Sequence, residues 1–98
     1  MIDDEAIVRI LGEEIPGLVA AYRFGSTVTA TQNPSSDVDV AVLGSAALKP
    51  LTRLRIAGRL SGALHRDVDL VDLYGASTVL RMEVVGKGIA LPVGDERR

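Results

Sequence analysis

Cysteine is absent from the 98-residue sequence, and histidine occurs once, as His65. Disulfides, zinc–thiolate sites, thiol nucleophiles and multi-histidine metal sites are therefore excluded. The only aromatic residues are Tyr22, Phe24 and Tyr74, so we do not expect nucleic-acid bases to stack on aromatic platforms. The formal net charge of -2 provides no field that would steer the chain onto a nucleic-acid backbone, and direct nucleic-acid binding is not expected.

Long apolar runs are also missing. No stretch approaches the roughly 18 residues of a membrane span, and the N-terminus is acidic where a signal peptide would be basic. We therefore expect a cytosolic protein with no membrane partner. Apolar residues still make up 47% of the chain, which is enough for one modest core. The prediction is a single domain over residues 1–98, with residues 94–98 as a frayed tail.

Apolar periodicity and turn residues predict alternating helices and strands. A first helix begins at a cap formed by Asp3 or Asp4 and ends at Pro16-Gly17, and two further helices begin near Pro50 and Ser77. The predicted strands are 18–24, 37–43 and 67–73, followed by a short segment over 89–93. In the middle helix, the predicted buried stripe is Leu51, Leu54, Ala57, Leu60 and Leu64. This order predicts an α/β or α+β domain with a small mixed sheet flanked by helices.

Two segments of the chain suggest chemistry at strand ends. Gly25-Ser26 forms a turn after the first strand, where glycine would let the backbone approach phosphate oxygens and serine would add a hydroxyl. Asp37 and Asp39 alternate with valines along the second strand and therefore project from one face. A later strand offers a third carboxylate from Asp67 or Asp69, which share one face, whereas Asp72 lies on the opposite face. Such oxygen donors suit hard cations and phosphoryl transfer.

Each segment also has an ordinary explanation. Glycine after a strand is commonly a simple turn, and alternating polar residues commonly mark a solvated sheet face. Aspartate is disfavoured in strands, however, and like charges on adjacent strands repel unless a cation neutralises them. The combination therefore favours a site that binds a divalent cation and a phosphate group.

Together these residues resemble the nucleotidyltransferase superfamily related to DNA polymerase beta, and most closely its minimal, MNT-type group. The resemblance rests on Gly25-Ser26, on Asp37-x-Asp39 after ten intervening residues, and on the segment 68–73. It covers residues 18–90. It implies a nucleotidyltransferase fold in which Asp37, Asp39 and Asp69 hold two magnesium ions. Gly25 and Ser26 would then bind the phosphates of ATP.

The resemblance also implies a partner. Minimal proteins of this type commonly act as antitoxins beside a HEPN ribonuclease toxin, and some add AMP to a tyrosine of that toxin. This chain departs from many relatives in carrying Val28-Thr29-Ala30 where they have Ala-Arg-Gly. Two alternatives stay open: a catalytically weak or inactive module that neutralises the toxin sterically, and an enzyme acting on a small hydroxylated molecule.

Overall fold

A computed structural model describes residues 2–25 and 37–93 of the chain. The helices are α1 (Asp4–Glu14), α2 (Pro50–Leu64) and α3 (Thr78–Lys87), and the strands are β1 (Ala20–Phe24), β2 (Val38–Leu43), β3 (Val68–Asp72) and β4 (Ile89–Ala90). The predicted α/β domain is confirmed, although each of the three longer predicted strands extends slightly beyond the observed one. No helix among the described residues is long and apolar enough to cross a membrane.

The helices begin at residues that satisfy their free backbone N–H groups. The side chain of Asp3 accepts a hydrogen bond from the N–H of Ala6 at 3.1 Å, and Ser77 accepts one from the N–H of Leu80 at 3.1 Å. Helix α2 begins instead with Pro50 at its first position, where the missing N–H has no intrahelical partner to lose. The sequence therefore sets the start of each helix through a different residue type.

The four strands form one mixed sheet in the order β3-β2-β1-β4. Strand β1 is antiparallel to both β2 and β4, whereas β2 and β3 are parallel. Helix α2 makes the crossover between the two parallel strands, as a parallel connection requires. Strand β3 therefore lies at one edge of the sheet that the described residues form.

Both faces of the sheet are covered, and each cover has its own apolar cluster. The larger cluster lies between one face and helices α1 and α2; its most buried members are Ile7, Leu11, Ile56, Leu60, Val38, Val40 and Val42. The smaller cluster lies under α3 on the other face and consists of Ala41, Leu73 and Val84. The alternation of β2 explains this division, because Ala41 points away from its valine neighbours.

The predicted stripe of α2 is wrong at two positions. Leu51 and Leu54 are 80% and 69% exposed, whereas Ile56 and Leu60 are fully buried. At about 100° per residue, Leu54 lies roughly 160° around the helix from Ile56. The helix therefore faces the sheet through a different set of residues, and its leucines at 51 and 54 lie on the outer surface.

Two arginines of α2 form ion pairs with glutamates at the end of α1. Arg55 contacts Glu14 at 2.9 Å, and Arg59 contacts both Glu14 and Glu13 at 2.9 Å. These guanidinium groups lower the pKa of the Glu14 carboxyl, Arg59 more than Arg55. Arg55 and Arg59 therefore connect the end of α1 to α2 through surface ion pairs.

Candidate active site

The first feature of the site is a row of residues across three strands. Asp39 in β2 lies opposite Asp69 in β3, and Phe24, the last residue of β1, lies opposite Asp39 on the other side. Residues directly opposite each other in a sheet project to the same face. The two carboxylates therefore share one face, at the edge where β1 ends and β2 and β3 begin.

Asp37 adds a third carboxylate to this edge. It precedes β2 by one residue and is exposed, as is Asp69, whereas Asp39 is half-buried. Burial raises the pKa of the Asp39 carboxyl, and the negative charges of Asp69 and Asp37 raise this pKa further. The three groups are therefore close enough to influence one another, and Asp39 lies at the centre of the group.

Gly25 follows the last residue of β1 and lies against the carboxylate of Asp39. It has a φ of +80°, a left-handed conformation that side chains disfavour. A β-carbon at this position would overlap Oδ2 of Asp39, so the backbone of Gly25 lies directly against that carboxylate. The predicted site residues Gly25 and Asp39 are thus in direct contact, and their roles in binding phosphate and metal stay predictions. Ser26 and the segment 28–30 lie outside the described residues.

The donors present fit a hard divalent cation in type. Carboxylate oxygens are the ligands that magnesium prefers in proteins, and a cation would relieve the repulsion that raises the pKa of Asp39. Over residues 2–25 and 37–93, however, no three His, Cys, Asp or Glu side chains converge closely enough to hold an ion as they stand. The assignment of Asp37, Asp39 and Asp69 as ligands therefore stays a prediction that requires their side chains to move together.

The other aspartate of β3 has a structural role. Asp72 lies opposite Val42, and its side chain accepts hydrogen bonds from the N–H groups of Leu48 at 2.7 Å and Tyr74 at 3.0 Å. It therefore fixes the chain before α2 against the end of β3, as its place on the opposite side of the pleat predicts. Arg81 is structural too, because its Nε donates to the carbonyl of Leu73 at 3.1 Å.

Two arginines near the carboxylates have no such partner in the described structure. Arg53 lines a cleft of about 360 Å³ together with Asp69 and Leu54. Arg66, just before β3, has a buried Nη1 without a hydrogen-bond partner among the described residues. The path of α2 beside β3 places Arg53 in the same cleft as Asp69, which the local sequence around Arg53 does not indicate.

Comparisons with known proteins identify the family of this chain. The sequence model of the family "Polymerase beta, Nucleotidyltransferase" matches residues 5–97. The chain is 44% identical over 87 residues to the protein adenylyltransferase MntA of Shewanella oneidensis; the match covers 89% of this chain and 63% of that protein. The chain therefore belongs to the polymerase beta nucleotidyltransferase family, and it spans less than two thirds of the length of this curated relative.

Solved structures give the same result for the fold. A chain of the crystal structure of a toxin–antitoxin with AMP-PNP superposes with a TM-score of 0.88 at 41% identity, covering 97% of this chain and 77% of that one. A chain of the tri-AMPylated Shewanella oneidensis HEPN toxin in complex with MNT antitoxin gives a TM-score of 0.78 at 40% identity, covering 93% and 70%. The expected nucleotidyltransferase fold is confirmed.

Proposed function

We propose that this chain is a magnesium-dependent nucleotidyltransferase antitoxin that transfers AMP from ATP to a hydroxyl, a tyrosine, of a partner HEPN ribonuclease toxin. The observation that carries the proposal is the row formed by Asp39 and Asp69, with the backbone of Gly25 against Asp39. The names of the relatives support it, since one is a protein adenylyltransferase and another structure contains a tri-AMPylated HEPN toxin.

The proposal assigns a part to each predicted site residue. Asp37, Asp39 and Asp69 would hold the two ions, and Gly25 and Ser26 would bind the β- and γ-phosphates of ATP. When bound, magnesium would stabilise negative charge on the phosphates and lower the pKa of the acceptor hydroxyl. The pKa of Asp39 is raised first by burial and then by the charges of Asp69 and Asp37. This supports the assignment, because a bound cation would relieve the repulsion between these carboxylates.

The reaction is a displacement at the α-phosphorus of ATP. The acceptor oxygen forms a bond to that phosphorus while the bond to the oxygen bridging the α- and β-phosphates breaks, so that pyrophosphate leaves. Asp69 lies nearest the outer edge of the sheet and is exposed. It is therefore the carboxylate best placed to meet an incoming hydroxyl and take its proton.

The test is the intact mass of the HEPN protein after incubation with this chain, ATP and magnesium. We expect added mass equal to one or more AMP units. We expect Asp39→Asn to abolish the addition, because it removes a proposed ligand of the two magnesium ions. Asp67→Asn is the matched control, since Asp67 is exposed just before β3 and has no part in the proposed site.

The outcome separates the remaining possibilities. An unchanged mass together with a stable complex would establish steric neutralisation instead of AMP transfer. Full activity in Asp39→Asn would show that the carboxylates are structural.

A cytosolic location stays a prediction of the sequence.

A further inference from the structure

The outer side of β3 lies next to the site and is an edge of the sheet that the described residues form. The carbonyl of Asp67 accepts from Val38, and the N–H of Leu73 donates to Val42, so odd-numbered residues of this segment direct their backbone groups toward β2. Backbone direction alternates along a strand. The N–H and carbonyl groups of Val68 and Leu70 therefore point away from β2, toward the open edge of the described sheet.

Helix α2 follows this edge along one stripe. Pro50, Leu54, Ala57 and Ser61 recur at intervals of three and four residues, which places them on one side of the helix. Ser61 fixes where that side lies, because its hydroxyl accepts the outward N–H of Val68 at 3.1 Å. Beyond this hydrogen bond, the edge is covered by no other strand of residues 2–25 and 37–93.

The space between the stripe and the edge is a cleft of about 360 Å³. Its walls include Leu54 and Ala57 of α2, Val68 and Leu70 of β3, and Asp69. Leu54 is 69% exposed, although it is a large apolar side chain beside the proposed site. The cleft thus combines outward-pointing backbone groups of β3 with an apolar wall, and Asp69, the residue assigned to the acceptor hydroxyl, is part of its lining.

We propose that the acceptor polypeptide binds here as an extended segment that adds to β3 as an edge strand. The inference rests on the proposed function and specifies how its substrate is held. Open strand edges pair readily with extended peptides through main-chain hydrogen bonds, and side-chain pockets supply the specificity. The cleft is continuous with Asp69, so a segment bound in it reaches the site directly.

The register of the sheet then defines the chemistry of the segment. A residue paired opposite Asp69 projects to the same face as that carboxylate, so the hydroxyl residue belongs at this position. Its two neighbours project to the other face, toward the side on which α2 presents Leu54 and Ala57, and should be apolar. Arg53 in the same cleft favours an acidic residue farther along the segment.

The first test measures transfer kinetics on the HEPN partner with Leu54→Glu in the full chain. We expect KM for the partner to rise by about tenfold or more, since a charge replaces an apolar contact, while the affinity for ATP with magnesium is unchanged. Val79→Glu is the matched control, because Val79 is 77% exposed on α3, and it should leave KM within about twofold of the unsubstituted chain.

The second test uses synthetic peptides as acceptors. A peptide with a Val-Tyr-Val centre and a glutamate should accept AMP. N-methylation of the peptide nitrogen that would donate a hydrogen bond to Leu70 should abolish this acceptance. Arg53→Glu should reverse the preference between this peptide and one carrying lysine in place of the glutamate.

The results distinguish this inference from the proposed function. If the unsubstituted chain adds no AMP to the HEPN protein, the proposed function fails. If it adds AMP but Leu54→Glu leaves KM unchanged, Val79→Glu raises KM equally, or the methylated peptide is modified normally, only the edge-strand inference is overturned. A homodimer of the chain that Leu54→Glu dissociates would also overturn it, because a second copy would then occupy the edge.

Discussion

At the scale of single residues, Asp39 is the centre of the site. The backbone of Gly25 lies against its carboxylate, and Asp69 faces it from the neighbouring strand. A buried charge near like charges destabilises the folded state unless a cation or a proton compensates it. The residue is therefore retained at a cost to the stability of the metal-free protein, as is common at functional sites.

This cost gives a prediction for metal-free Asp39→Asn. The folded-state pKa of Asp39 is raised, so its ionised form destabilises the fold above that pKa, and the cost disappears as pH falls toward the unfolded-state value. We expect the variant to melt higher at neutral pH, by on the order of 2 °C because half-exposed charges repel weakly. The difference should vanish as the pH is lowered, as measured by thermal melts in a chelator.

The contrary result is equally specific. A variant that melts lower than the unsubstituted chain at neutral pH would mean that the Asp39 carboxylate stabilises the fold despite the neighbouring charges. Asp67→Asn, which changes an exposed neighbour of the same type, should show neither the rise nor its pH dependence.

Part of this residue-level picture could be predicted from the sequence. Strand alternation correctly placed Asp39 and Asp72 on opposite faces, whereas Asp37 precedes β2 and is not part of its pairing. The choice of Asp69 as the third ligand depended on a family resemblance. The contact between Gly25 and Asp39 could not be predicted, because it follows from the antiparallel register of β1 and β2, and composition does not set a register.

At the scale of elements, α3 is the cover of the face that carries the carboxylates. It begins at Ser77, whose hydroxyl accepts the N–H of Leu80, and it buries Val84 in the smaller apolar cluster. The cap at Ser77 satisfies one of the free N–H groups at the start of this helix and thereby stabilises it.

We therefore expect Ser77→Ala to lower the free energy of unfolding by about 1 kcal/mol, the usual contribution of a helix cap. Chemical denaturation of the full chain measures the change. Thr78→Ala is the control, since Thr78 is exposed at the next position and should change stability by less than about 0.5 kcal/mol. Equal losses in both variants would contradict the assignment of the cap.

The helices also show why packing is harder to predict than helix positions. Asp3, Pro50 and Ser77 marked the three starts correctly. The buried side of α2 was predicted wrongly because leucines occur on two of its sides, and apolar periodicity alone does not identify which side meets the sheet. The ion pairs of Glu14 with Arg55 and Arg59 depend on the same unknown orientation.

At the scale of the whole molecule, ligand binding should stabilise the fold. ATP with magnesium that binds only the folded state at about a hundredfold excess over its Kd adds about 2.7 kcal/mol. We expect a corresponding rise in melting temperature that a chelator removes and that Asp39→Asn lacks. The same rise in Asp39→Asn would place nucleotide binding away from the proposed carboxylates.

The parallel pairing of β2 and β3 also has a consequence for the order of folding. Asp39 and Asp69 are distant in sequence, and they meet only after α2 has formed and the crossover has closed. Contacts between distant segments carry a large loop-closure entropy and generally form late. The helices can thus form without opposition from the carboxylates, and the chain encounters that repulsion only when β2 and β3 pair and complete the larger apolar cluster.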